Sequence, residues 1–148
     1  MLIAHDTLIM AIDGARMCLF RNKSSVREPR LELLAEQARK TPSTAELGDD
    51  QPGRAFQSSS SSVRGAYETT DLHQQAEDEF TLEMAELLIF QMKDEDRQAI
   101  LIAPPHVLGL MRKHLPDDIR RRLIAEIDKD YAGRTALEVA ELLDKHEA

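Results

Sequence analysis

Apolar positions come in short alternating runs in the first third of the chain and in longer, helically spaced runs after it. Thr7 to Asp13 (TLIMAID) is a compact run of strand-favouring residues closed by Asp13-Gly14, and Ala15 to Phe20 (ARMCLF) follows at once, which predicts a tight hairpin. In the second run Ala15, Met17 and Leu19 alternate with Arg16, Cys18 and Phe20, so one face is apolar and the other mixed. A turn over Asn22–Pro29 leads to Leu31–Glu36 (LELLAE), read as a third strand with a short helix as the alternative.

From about Thr41 to Thr70 the pattern lapses into Pro42, Gly48, Pro52, Gly53, five serines at 58–62 and Gly65, which predicts a long polar loop. Leu72, Ala76, Phe80, Met84, Leu87 and Leu88 then recur at helical spacing, predicting an amphipathic helix from Asp71 to about Met92 whose acidic face is solvated. Gln98–Ala103 (QAILIA) is apolar throughout, as expected of a strand buried on both faces at a sheet's centre. Pro104-Pro105 ends it and opens a short helix to His114. A helical turn at Pro116–Asp118, a strand late in Arg122–Asp130 and a capping box at Thr135–Glu138 that starts a helix from Ala136 to Lys145 complete the pattern.

Three hairpin-linked strands, then strands separated by helices, predict one α/β domain over 1–148. It has a mixed five-stranded sheet in ribonuclease H-like order. The charge of −8 sets the whole molecule against phosphate backbones and anionic lipid, so nucleic-acid contact requires a local patch. The single Cys18 excludes an internal disulfide and fits core packing in a reducing compartment. The opening residues Met1–Asp6 do not read as a signal peptide, and no apolar run has membrane-spanning length, so a cytoplasmic location without membrane contact is expected.

Five short motifs in order, Asp13-Gly14-Ala15-Arg16, Pro52-Gly53-Arg54-Ala55-Phe56, Thr70-Asp71-Leu72-His73, Ala103-Pro104-Pro105 through Gly109, and Glu126-Ile127-Asp128-Lys129-Asp130, span nearly the whole chain. With them the chain resembles the bacterial host attachment protein family, and more distantly the middle domain of archaeal and eukaryotic peptide-chain release factors. Leu72 stands where that family commonly has proline, and Tyr131 where it has an aliphatic residue. The resemblance implies a relative that binds RNA or the ribosome. The release factors present Gly-Gly-Gln to the peptidyl-tRNA ester from the corresponding loop, and this chain has no Gly-Gly-Gln, which puts peptidyl hydrolysis in doubt.

Among candidate residues, Arg54 and Arg64 with Phe56 and Tyr67 form a basic and aromatic set that could grip phosphate and stack on a base, or simply be solvated. His73, next to Asp71, suits acid–base chemistry by its ordinary pKa, against a structural role in the first turn of the helix with Asp71 as its cap. A metal-dependent nuclease would need carboxylates to converge from Asp13, Glu68, Asp71, Asp128 and Asp130. The Pro104-Pro105-His106 turn reads as rigid structure, and His5, His114 and His146 as surface residues without metal-ligand spacing. No metal and no cofactor is expected. The expectation is a non-catalytic binding domain that engages RNA or the ribosome through residues 52–67, with a protein partner also open. The alternatives are a hydrolase or nuclease using His73 and nearby carboxylates, and an indirect role in bacterial attachment to host cells.

Overall fold

A computed structural model of the chain describes residues 1–26, 29–39, 59–93 and 96–146, with backbone alone for 59–70. Its elements are β1 (Leu8–Ile12), β2 (Arg16–Asn22), β3 (Leu31–Ala38), α1 (Ser59–Gln91), β4 (Ala99–Ala103), α2 (Pro105–His114), α3 (Asp117–Arg121), β5 (Leu123–Asp128) and α4 (Ala136–Lys145). The strands form one mixed sheet in the order β3-β2-β1-β4-β5. β2 runs antiparallel to β1 and β3, while β1, β4 and β5 are parallel neighbours.

Every residue of β1 and β4 is buried, because helices cover both faces of the sheet's centre. On one face Leu8, Met10, Leu19 and Leu101 meet Phe80, Met84 and Leu88 of α1 and Val107 and Met111 of α2. On the other, Ile9, Phe20, Ile100 and Ile127 meet Val139 and Leu143 of α4. The predicted alternation along β2 holds, but Cys18 and Phe20 of its mixed face are buried too, under α4 and the segment before it, while Arg16 is exposed. β3 lies at the edge and leaves Leu33 and Leu34 exposed.

The helix starts follow local chemistry. Pro105 at N1 of α2 sets a helical φ where no N–H donor is needed. In α4 the Glu138 N–H donates to Thr135 Oγ1 and the Thr135 N–H donates to the Glu138 carboxylate, so the expected capping box is present. At the end of β2, Asn22 is fully buried, and its Nδ2 donates to the Ile3 and Ala4 carbonyls while its Oδ1 accepts from the Ser24 and Arg30 N–H groups. That one side chain ties three segments together and lets Asp6 turn at φ 68°.

One boundary differs from expectation. α1 begins at Ser59, not Asp71, so the serine tract and Gly65 are helical. No proline lies between Pro52 and Pro104, and a lone glycine costs a helix only about 1 kcal/mol. The helix therefore extends backward past the polar residues that suggested a loop.

Candidate functional site

In an open sheet with parallel strands, ligand crevices lie beyond the strands' C-terminal ends. Here that edge collects the β1–β2 hairpin, the β4–α2 turn and the β5–α4 connection. The end of β3 reaches it too, where the Arg39 N–H donates to the Ala15 carbonyl at 2.7 Å. α1 crosses the same edge. A Cβ added to Gly14 would lie 2.8 Å from both Cβ and Cγ of Glu77, so the helix rests directly on the hairpin.

Two histidine–carboxylate contacts join α1 to α2. His106 Nε2 lies 2.9 Å from Asp78 Oδ1 and His114 Nε2 lies 2.6 Å from Glu86 Oε1. Both pairs are 28 residues apart, so the two helices run in the same direction, away from the C-terminal edge. Gln74 Nε2 joins the first contact at 3.1 Å from His106 Nε2. These contacts make His106 and His114 tethers between helices.

Beside the hairpin is a cleft of about 400 Å³ between β2–β3 and the β5–α4 connection, lined among others by Arg16, Cys18, Leu33, Gln37 and Arg134. Cys18 donates to the Ala132 carbonyl at 3.2 Å, and burial, with the Glu36 charge adding to it, pushes its thiol above the ordinary range. It stays a neutral, packed thiol. Arg134 pairs with Glu138 and lies over the Tyr131 ring. The Arg16 guanidinium lies where a side chain on Gly133 would sit, 2.9 Å from an added Cβ, and has no carboxylate partner among the described residues. A guanidinium at a half-apolar cleft, without a carboxylate partner among the described residues, can accept an anionic group.

The expected site residues fall differently. Arg54 and Phe56 lie outside the described residues. Arg64, Tyr67 and Glu68 fall in the N-terminal part of α1, where the backbone alone is described. Asp71 does not cap the helix and His73 is not in its first turn, because both sit in the interior of α1. Two residues apart on a helix, their side chains point to different faces. Asp13 is spent on its own turn, its Oδ1 accepting from the Ala15 and Arg16 N–H groups at 2.7 Å each. Among the described residues no three His, Cys, Asp or Glu side chains are grouped closely enough to hold a metal ion, and no helix is long and apolar enough to cross a membrane.

Hairpin, third strand and a long helix thus stand in the order the release-factor resemblance implies. The sequence model of the bacterial archaeo-eukaryotic release factor family 12 matches residues 6–143, and the chain belongs to that family. No curated protein matches it.

Proposed function

We propose that this chain is a release-factor-like binding domain, without catalysis of its own, that engages RNA or the ribosome through residues 52–67. The observation that supports this reading is where the described residues on either side of 40–58 lie. β3 ends at the same C-terminal edge where Gln74 of α1 meets His106, the first such contact of α1 among the residues whose side chains are described. About 22 Å of helix at 1.5 Å per residue precedes that tether, and Arg64 and Tyr67 belong to it. In the release factors the corresponding segment is the one that meets peptidyl-tRNA, and a basic, aromatic composition suits phosphate and base contact. Lacking Gly-Gly-Gln, the segment has no residues with which to repeat the release factors' ester hydrolysis.

Co-sedimentation with ribosomes across a salt series tests the proposal. Binding should fall steeply with salt, because an acidic body must be held by a few phosphate contacts. The Arg54→Ala, Arg64→Ala double variant should lose most of it. Ribosome binding that survives this substitution unchanged would remove the segment from the interface.

A further inference from the structure

The opposite edge of the sheet, at the N-terminal ends of β1, β4 and β5, has a different chemistry. α2 ends there and α3 turns the chain back into β5, and residues 112–122 (RKHLPDDIRRR) carry five Lys or Arg against two Asp in a chain whose net charge is −8. Arg112, Arg120 and Arg121 line one open cleft of about 570 Å³ together with Asp117, Leu123 and Glu126. Its carboxylates are already engaged: Glu126 takes Arg112 through both oxygens at 3.2 and 3.3 Å, and Asp117 takes Arg120. Asp118, close by, takes Arg122 at 3.5 Å.

Two cations remain. Lys113 is exposed, and Arg121 is exposed with its Nε donating to the Asp117 carbonyl, and neither has a carboxylate partner among the described residues. Helix dipoles favour cations in the last turns of α2 and α3, which accounts for their residue type. The dipoles do not account for three guanidinia around one open cleft. Guanidinium forks match phosphate oxygens, and ion pairs at an exposed surface are worth at most about 1 kcal/mol, so Arg112 and Arg120 can exchange their carboxylates for phosphate at small cost.

We propose that this α2–α3 corner, built on the cleft that Arg112, Arg120 and Arg121 line and flanked by Lys113 next to Arg112 in α2, is a second binding surface that takes the phosphates of an RNA backbone. The choice of RNA among polyanions rests on the function proposed above. The start of α1 and the α2–α3 corner lie toward opposite edges of one sheet, so a single RNA or ribosomal site would have to meet the domain along its length or at two separate points.

The test measures affinity for a fluorescent RNA duplex between about 50 and 200 mM salt, comparing the wild type, K113Q/R121Q, the charge-keeping K113R/R121K, and R54A/R64A. Losing two phosphate contacts should lower the slope of log K against log salt by about 1.8 in K113Q/R121Q, while K113R/R121K keeps the wild-type slope. A K113Q/R121Q slope equal to wild type, with R54A/R64A impaired, would overturn the corner and leave the 52–67 reading standing. The reverse pattern would leave the corner and remove that reading. No binding by the wild type at the lowest salt would overturn both. A circular-dichroism melt of each variant guards against misfolding, and a loss of affinity that K113R/R121K shares would also count against the corner as a charge-reading surface.

Discussion

The two edges of the sheet show how one acidic chain can carry two unlike surfaces. At the C-terminal edge, carboxylates are structural partners: Asp13 closes the hairpin, Glu77 packs on Gly14, and Asp78 holds His106. Arg16 stands there without a carboxylate partner among the described residues, near the end of β3 at Arg39. At the N-terminal edge the carboxylates are outnumbered, and Lys113 and Arg121 have no carboxylate partner among the described residues. Net charge averages these surfaces into −8 and hides the second one. A whole-molecule charge therefore bounds long-range steering, and says little about a single corner.

The edges also differ in what holds them, and this can be tested by substitution. The largest expected effect is at the N-terminal edge, where Asn22→Ala would strand two carbonyls and two N–H groups inside the protein. A loss of about 3 kcal/mol in urea unfolding is expected. A loss under about 1 kcal/mol would mean that water or backbone movement replaces those bonds. At the other edge, Gly14→Ala drives a methyl into Glu77 and should cost about 1–2 kcal/mol. Adding Glu77→Ala leaves the clash with its Cβ, so a double-mutant cycle should restore only part of that loss, and full restoration would show that the helix is free to shift.

Cys18 gives a pH test of the same edge. Its folded pKa is raised, so its contribution to stability is fully present below the ordinary thiol pKa of about 8.5 and is lost as pH rises through the higher folded value. Thermal melts should show wild type losing ground to Cys18→Ala as pH climbs above about 9. Parallel pH curves would show the thiol to be solvated. The smallest effects belong to the exposed tethers, where His106→Ala and His114→Ala should each cost less than about 1 kcal/mol.

Much of this architecture was readable in the residues. The hairpin, the buried β4, the Pro105 start of α2 and the capping box of α4 all depend on neighbours in sequence, where pattern and propensity act. The start of α1 was hidden because serine and glycine weaken a helix without ending it, and only proline would have stopped it outright. The cap read for Asp71 and the first-turn place read for His73 went with it, since moving the helix start moved both residues into its interior. Arg16 and Arg134 could not be paired from sequence, because they share a cleft only once α4 packs beneath β2. The dense run of basic residues at 112–122 was visible, but only the fold shows that Asp117 and Glu126 are occupied while Lys113 and Arg121 have no carboxylate partner among the described residues.

One consequence of α1 concerns mechanics. It is a single unbroken helix of 33 residues, about 50 Å long, whose later turns hold Phe80, Met84 and Leu88 in the core. A partner that grips its outer turns holds one end of a stiff rod whose other end is embedded in the sheet. Leverage at Arg64 is then felt at Leu88, and an encounter at the far end loads the domain's core directly.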